Sequence, residues 1–300
     1  MQEPLILVVQ GPTASGKTAL AIDFARYFQT EIISFDSRQF YREMSIGTAV
    51  PTAEELGAVK HHFIHNESYM NPINAAEFAS MAQPVLKEIL NKFGAVVLVG
   101  GSALFADALL LGLDELPHDP LVQKKWQEVF ENKGLEFIQA ELLRLDHEFY
   151  PKVDLQNARR IIRALEIAEI SGKSNNELRT GLRQTPAQLK RFVINWPREL
   201  LYQRINKRVE QMFEAGLEQE AQQFFEVFSQ YKTLQTVGYT EFFNFWKGEL
   251  TQEQVPNLIK QHTRNYAKRQ LTWMRRYDDV HYLNPLSVQT IFEQAIDQIG

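Results

Sequence analysis

The feature that most constrains the fold of this 300-residue chain is the run GPTASGKT near its N-terminus. It matches the phosphate-binding loop pattern, in which Gly, four residues, Gly and Lys are followed by Ser or Thr. The apolar run at residues 5–9 predicts a buried parallel strand before the loop, and the apolar spacing of residues 19–28 predicts a helix after it. Free backbone N–H groups and the helix dipole at such a junction attract phosphate, so the sequence predicts a site for a diphosphate or triphosphate. The residues of this phosphate loop are Gly11, Pro12, Thr13, Ala14, Ser15, Gly16, Lys17 and Thr18.

Two side chains of the phosphate loop carry the expected chemistry. Lys17 supplies a point charge for the terminal phosphate, and the Thr18 hydroxyl is suited to hold Mg²⁺, the predicted cofactor. The alternative is a chance glycine turn, which the fit of the whole pattern between a strand and a helix disfavours.

Composition limits the class of protein. The chain has no cysteine, which excludes disulfides and thiolate metal sites, and no long uncharged apolar run predicts a membrane span. Its formal net charge of −5 gives no overall sign of nucleic-acid binding, so such a surface would have to be local. The first residues carry no basic leader, and we expect a cytoplasmic protein that acts as a monomer, away from membranes.

Further strands are predicted at residues 31–35, 95–99, 192–196 and 280–283, and a helix is predicted at residues 218–231. Asp36 follows the first of these, and ligands of open α/β sheets bind outside the carboxyl ends of strands, so Asp36 is expected to face the phosphate loop. The alternative role for Asp36 is to cap the next helix. Gly100 and Gly101 follow residues 95–99, where an ATPase usually has an Asp for Mg²⁺; this weakens an ATPase interpretation and leaves room for a substrate to approach the backbone.

The pattern changes near residue 114, where an acidic, proline-flanked stretch indicates a domain crossing. Residues 121–185 show helical spacing and no convincing strand, and one apolar face is formed there by Ile161, Ile162, Leu165 and Ala168. The sequence therefore predicts an α/β fold, a P-loop NTPase-like parallel sheet flanked by helices with an α-helical insertion domain. The predicted domains are a core of residues 1–113 and 190–300 and an insertion of residues 114–189.

Two basic segments are candidates for binding phosphate. The first segment lies in the insertion and contains Arg159, Arg160 and Arg163. These arginines either bind phosphate or lie on a solvated helix face where they pair with Glu166 and Glu169, and their spacing alone does not decide between the two roles. Residues 260–276 contain six cations and no acid, with Tyr266 and Trp273 between them; this is either a nucleic-acid surface with stacking aromatics or a core helix with a charged outer face. The six cations are Lys260, Arg264, Lys268, Arg269, Arg275 and Arg276.

A cluster of three histidines, His61, His62 and His65, lacks an Asp or Glu at ligand spacing, which disfavours a metal site. The residues thus leave three classes of function: an enzyme acting on a nucleic acid, a small-molecule or nucleotide kinase, and a nucleotide-gated RNA-binding protein.

Several stretches together resemble the bacterial tRNA dimethylallyltransferase (isopentenyl-tRNA transferase) family. They are GPTASGKT, DSRQFYREMSIGTAVPT from Asp36, VGGSALF from Val99, NARRIIRALEI from Asn157, PRELLYQRI from Pro197, VGY from Val237 and TRNYAKRQLTWMRR from Thr263. The phosphate loop occurs in many families, whereas the second and last stretches together are specific. The resemblance covers residues 11–276 and implies transfer of a dimethylallyl group from dimethylallyl diphosphate to the N6 amine of the adenosine 3′ of the anticodon.

The resemblance also implies roles for residues. Asp36 would be the base, Lys17 and Ser102 would complete the catalytic group, and the acceptor base would be flipped into a tunnel. The prenyl donor needs an apolar channel, and Phe35, Phe40 and Phe105 are candidates to line it. The insertion would clamp the anticodon stem-loop of tRNA. The implied tRNA-binding residues are Asp36, Ser37, Arg38, Gln39, Ser102, Gln123, Gln156, Asn157, Ala158, Arg159, Arg160, Arg163, Gly238, Tyr239, Arg264, Lys268, Arg269, Trp273 and Arg275.

Overall fold

The computed structural model describes residues 3–114, 116–179, 187–285, 287 and 290–299. It divides into two compact units, one formed by Met1–Leu111 with Gln184–Gly300 and the other by Gly112–Arg183. The helical pattern expected at residues 180–185 lies outside the described residues.

The first unit is built on a six-stranded sheet in which every neighbouring pair is parallel. Its strands in spatial order run β3-β2-β4-β1-β5-β6, so the phosphate-loop strand β1 lies inside the sheet. This confirms the predicted α/β class. The strands are β1 Leu5–Gln10, β2 Ile32–Ser34, β3 His61–His62, β4 Ala95–Gly100, β5 Gln188–Ile194 and β6 Val280–Leu283.

Helices cover both faces of the sheet and form the second unit. In chain order the helices are α1 Lys17–Tyr27, α2 Ala53–Ala58, α3 Ala75–Phe93, α4 Ala103–Leu111, α5 Pro120–Leu145, α6 Ala158–Ser171, α7 Asn175–Leu178, α8 Arg198–Glu214, α9 Leu217–Gln222, α10 Thr240–Trp246, α11 Gln254–Met274 and α12 Thr290–Ile296. Helix α5 bends at Gly134, whose φ of 81° is left-handed. No helix within the described ranges is long and apolar enough to cross a membrane.

Two predicted elements were wrong in extent. The strand expected at residues 192–196 begins at Gln188 and ends at Ile194, because it pairs with β1 from Leu5 onward, and Trp196 instead hydrogen-bonds the phosphate loop. The helix expected at residues 218–231 ends at Gln222, after which residues 223–230 form turns whose amides bond three residues back. Aromatic side chains in this stretch pack against Phe243 and Trp246, so tertiary packing overrides the helical spacing.

The packing on both faces of the sheet explains why the sequence of β1 is a continuous run of apolar residues. Ile6 and Val8 point to one face of the sheet and Leu7 and Val9 to the other, and all four are fully buried. Each face is covered by helices, so these four positions do not meet water. The sheet therefore presents its carboxyl edge, where β1 turns into the phosphate loop, as the edge available to a ligand.

The second unit has its own apolar centre. Trp126, Ile138 and Leu142 of α5 pack with Ile161 and Leu165 of α6. The apolar face predicted for this helix is confirmed, since Ile161, Ile162, Leu165 and Ala168 are all buried.

Candidate active site

The phosphate loop is hydrogen-bonded by Trp196, which follows β5, and by Arg204 of α8. The Ser15 N–H donates to the Pro12 oxygen at 3.2 Å, which closes the turn. Trp196 Nε1 donates to the Ser15 oxygen at 2.8 Å, and Arg204 Nε donates to the Ala14 oxygen at 2.8 Å. These bonds engage the carbonyl side of the loop, while the first-turn amides of α1 have no acceptor within that helix. The loop therefore keeps donors for an anion.

A cavity of about 760 Å³ opens beside the phosphate loop and is strongly cationic. Two carboxylates, Asp36 and Glu55, also line it. The six cations that line the cavity are Lys17, Arg38, Arg204, Lys207, Arg208 and Arg269. Because the whole chain is acidic, this concentration of positive charge marks the cavity as a site for a phosphorylated ligand.

Lys17 is the one of these six cations that belongs to the phosphate loop itself. Its Nζ donates to the Pro12 oxygen at 2.9 Å. Burial lowers the pKa of Lys17 to about 8, an effect that Asp36 opposes and Arg208 reinforces. A diphosphate beside Lys17 would raise this pKa again, because a nearby anion favours the charged form.

Helix α8 supplies cations that the sequence interpretation missed. Arg204 and Arg208 are one turn apart and both line the cavity, and burial lowers the pKa of each. Arg208 Nη2 also donates to the Ala49 oxygen at 3.2 Å. The available signal was the spacing of two arginines on a helix that leaves the carboxyl end of a strand.

Asp36 lies where the sequence predicted, past the carboxyl end of β2 and on the cavity wall. Its Oδ1 accepts the Arg38 N–H at 3.1 Å, so it closes a turn. This bond holds the carboxylate in one orientation relative to the cavity. The alternative role was wrong, because the next helix, α2, is capped by Thr52 and not by Asp36.

Around Asp36, polar groups connect three segments of the chain. The Ser37 and Ser102 hydroxyls are 2.9 Å apart, and the Ser37 N–H donates to Ser102 Oγ at 3.1 Å. Burial and then Asp36 raise the pKa of Tyr266 to about 12, while a hydrogen bond with Ser102 opposes the shift. Tyr266 thus keeps its proton at neutral pH and faces the cavity beside Asp36.

Arg38 and Gln39 also line the cavity, and both are held by backbone oxygens. Arg38 Nη1 donates to the Thr233 oxygen at 2.9 Å, and Gln39 Nε2 donates to the Ala49 oxygen at 3.0 Å. These bonds fix the turn after β2 against two rim loops.

Glu220 anchors the rim of the cavity from beneath. Its carboxylate accepts the N–H groups of Ser45, Ile46 and Gly47 at 2.8–2.9 Å, and the Tyr239 hydroxyl donates to it at 2.6 Å. Tyr239 is fully buried, so its side chain lies in the core and not on a surface that RNA could reach. Its neighbour Gly238, also expected to contact tRNA, lines the cavity.

The basic segment predicted at residues 260–276 forms most of α11, and its cations have different surroundings. Lys260 pairs with Glu210 at 2.6 Å, and Arg264 Nη1 donates to Asn206 Oδ1 at 2.8 Å, so both connect α11 to α8. Lys268, Arg269 and Arg275 are exposed. Trp273 Nε1 donates to Asp107 at 3.4 Å and is only partly accessible for stacking.

Within the second unit, the predicted residues lie around the start of α6. Gln123, Gln156, Arg159 and Arg160 are exposed. Asn157 caps α6, and Ala158 begins it. A shallow cavity of about 460 Å³ is lined here by Gln156, Asn157, Ala158 and Arg159, among others.

Arg163 is engaged inside the second unit. Its guanidinium donates to the Pro117 oxygen at 2.8 Å and to Glu166 at 2.7 Å. Glu166 is fully buried and also accepts from the Asp119 N–H, so this pair is part of the interior and not a solvated face. Glu169 pairs with Lys125 instead, at 2.7 Å.

Packing decides one further expectation. Phe35 and Phe40 are fully buried in the core, so the idea that these two rings line the donor channel is wrong. Phe105 is partly buried and packs on Phe40. The three histidines bond to separate partners, Val59, Glu31 and Ser45, and the described residues contain no cluster of His and acidic side chains that could hold a metal.

The fold and the cavity together define a phosphate-loop α/β protein with a cationic cavity beside a fixed carboxylate. The family model described as IPP transferase matches residues 39–277. The chain is 41% identical to a tRNA dimethylallyltransferase of Cytophaga hutchinsonii over 95% of its own length and 94% of the relative's. It is 38% identical to tRNA dimethylallyltransferase 1 of Phocaeicola vulgatus over the full length of both. The chain belongs to the IPP transferase family.

Solved structures agree with this membership. The tRNA isopentenylpyrophosphate transferase of Bacillus halodurans superposes with a TM-score of 0.73 at 32% identity, covering 100% of this chain and 96% of that one. A eukaryotic dimethylallyltransferase acting on tRNA superposes with a TM-score of 0.80 over 98% of this chain and 77% of that one; at 24% identity it shows a shared fold.

Proposed function

We propose that this protein transfers the dimethylallyl group of dimethylallyl diphosphate to the N6 amine of the adenosine 3′ of the anticodon in tRNA, releasing pyrophosphate. The observation that carries the proposal is that Asp36 and Lys17 line one cationic cavity beside the phosphate loop. Family membership supports it, because relatives of similar length are named tRNA dimethylallyltransferases.

The donor diphosphate would bind the phosphate loop. Lys17, Arg204 and Arg208 offset the negative charge that builds on the departing pyrophosphate as the carbon–oxygen bond breaks. Mg²⁺ would be held by the Thr18 hydroxyl and the donor's own oxygens. Thr18 lines the cavity, and the described residues place no cluster of three or more His or acidic side chains there. Such a site suits Mg²⁺, which usually keeps several water ligands and binds the phosphate oxygens of a substrate. When bound, Mg²⁺ would neutralise charge on the leaving group.

The acceptor amine is a weak nucleophile, so its proton must leave as the nitrogen–carbon bond forms. Asp36 would take that proton, since its carboxylate is oriented by the Arg38 N–H and faces the cavity. The Tyr266 hydroxyl and the Ser37–Ser102 pair would orient the flipped base by hydrogen bonds. The cavity volume lies in the upper part of the ~300–1,000 Å³ range of small-molecule sites, which leaves room for a donor and a base together.

The part of the tRNA outside the cavity would contact exposed cations through its phosphates. On the first unit these are Lys268 and Arg269 of α11 and Arg275, which directly follows that helix. On the second unit, Arg159 and Arg160 at the start of α6 would contact the anticodon stem-loop.

The test is incubation of the protein with tRNA, Mg²⁺ and isotopically labelled dimethylallyl diphosphate, followed by mass spectrometry of the tRNA nucleosides. We expect labelled N6-dimethylallyladenosine, with pyrophosphate released in equal amount. Consumption of ATP with a phosphorylated product and no modified tRNA would replace the proposal with a kinase.

A further inference from the structure

Gly101 directly follows β4, and the space beside its Cα is occupied by a side chain of the protein. Gln270 of α11 is 6% exposed and lies against Gly101. A Cβ added at Gly101 would come within 2.0 Å of Gln270 Nε2, and apart from Gln270 its nearest neighbour would be the Gly11 oxygen at 3.8 Å. A side chain at position 101 would therefore require the Gln270 amide to move, and no other group.

The Gln270 amide makes two hydrogen bonds that only one orientation allows. Its Oε1 accepts the Thr13 N–H of the phosphate loop at 2.9 Å, and its Nε2 donates to the Gly101 oxygen at 3.1 Å. Thr13 offers a donor and Gly101 an acceptor, so neither a carboxylate nor an apolar side chain can satisfy both.

These contacts tie three segments together at the cavity. The phosphate loop, Gly101 and α11 are joined through one buried side chain, and Gln270 itself lines the cavity next to Arg269. We propose that Gln270 is a positioning residue that sets the phosphate loop in its diphosphate-binding shape by holding Thr13 to Gly101, so that α11 controls donor affinity. This inference rests on the proposed function, in which the loop binds the donor diphosphate.

The first test replaces Gln270 with Met, which keeps the length and removes both hydrogen bonds, and with Glu, which sets a carboxylate against the Gly101 oxygen. With inorganic pyrophosphate and Mg²⁺ as probe, calorimetry on folded protein should show affinity lower by about tenfold for Gln270→Met and by more for Gln270→Glu. The Michaelis constant for dimethylallyl diphosphate should rise while kcat changes less. Gln261→Met, an exposed site on the same helix, is the matched control and should leave both unchanged.

The second test is a double-mutant cycle that separates positioning from simple stability. Gly101→Ala should weaken pyrophosphate binding in the native background, because the new methyl displaces the Gln270 amide. In a Gln270→Ala background the same change should cost less than about twofold, because the methyl then has space.

Two results would overturn the inference while leaving the proposed function intact. One is a Gln270→Met variant that melts at a lower temperature but keeps its pyrophosphate affinity. The other is a Gly101→Ala cost that is equal in both backgrounds, which would mean that the glycine serves direct approach of a ligand. If the unaltered protein neither bound pyrophosphate nor modified tRNA, the proposed function would fail together with the inference.

Discussion

Asp36 is the carboxylate best oriented for proton abstraction, because the Arg38 N–H fixes its Oδ1 while the residue faces the cavity. Asp36→Asn keeps the shape and removes the base, so turnover should fall by about 10²- to 10⁴-fold with little change in tRNA affinity. Single-turnover transfer of labelled dimethylallyl measures the effect. Glu54→Gln, an exposed acid on α2, is the control, and native turnover in Asp36→Asn would remove Asp36 from its proposed role.

Lys17 makes donor affinity depend on pH, because burial lowers its pKa to about 8 in the free site. A bound diphosphate raises that pKa, so above about pH 8 binding must take up a proton. The dissociation constant of dimethylallyl diphosphate should therefore be flat below about pH 8 and rise by up to about tenfold per pH unit above it. Titrations of Lys17→Arg, which stays charged, should lack this rise, and a parallel rise in both proteins would assign it to another group.

At the scale of elements, the rim loop of residues 45–47 depends on one carboxylate from α9. Glu220→Gln leaves an amide N–H₂ facing backbone N–H groups, and we expect a loss of about 1.5–3 kcal/mol in the free energy of unfolding. Tyr239→Phe removes one donor to the same carboxylate and should cost about 1 kcal/mol. Urea unfolding measures both, and equal stability of Glu220→Gln and the native protein would show that the loop is held by packing.

Helix α11 should contact RNA through exposed cations that have no side-chain partner in the part of the chain that the structure describes. Replacing Lys268 and Arg275 with Ala should reduce the slope of log affinity against log salt by up to about two, at ~0.7–0.9 per lost phosphate contact. Lys260→Ala is the matched control, since Lys260 already pairs with Glu210 and should change the slope less. Filter binding of an anticodon stem-loop gives the slopes, and an unchanged slope in the double variant would make α11 a structural helix.

At the scale of the whole molecule, we expect the first unit to bind the donor without help from the second unit, and the second unit to be needed for tight binding of the anticodon stem-loop. The second unit has its own apolar centre, and the sheet with its cationic cavity belongs to the first. Removing residues 112–183 and bridging the gap should leave a protein whose melting temperature still rises with dimethylallyl diphosphate and Mg²⁺. Its affinity for the stem-loop should fall sharply, whereas native affinity in a folded deletion variant would refute the clamp role.

The elements that local pattern predicted well are those whose partners lie close in sequence. The strand, turn and helix around Lys17 follow from a run of apolar residues, a glycine turn and helical spacing, and Asp36 is placed by the rule for strand ends. The ends of strands and helices were less predictable because they depend on contacts with distant residues. The start of β5 is set by the pairing of Gln188 with β1, and residues 223–230 leave the helix because aromatic side chains such as Phe228 pack against Phe243. Phe35 and Phe40 were misassigned because an apolar side chain fits a channel and a core equally well.

The sequence by itself determined that this chain is a parallel α/β protein with a phosphate loop, a nearby carboxylate and a family resemblance resting on several motifs. Only the tertiary structure decided which other residues serve the site. Gln270 reaches Thr13 across 257 residues of chain, and Arg204 reaches Ala14 across 190. No local periodicity encodes such pairings, because they arise when helices α8 and α11 pack beside the carboxyl edge of the sheet, where the backbone of the loop needs partners for its N–H and C=O groups.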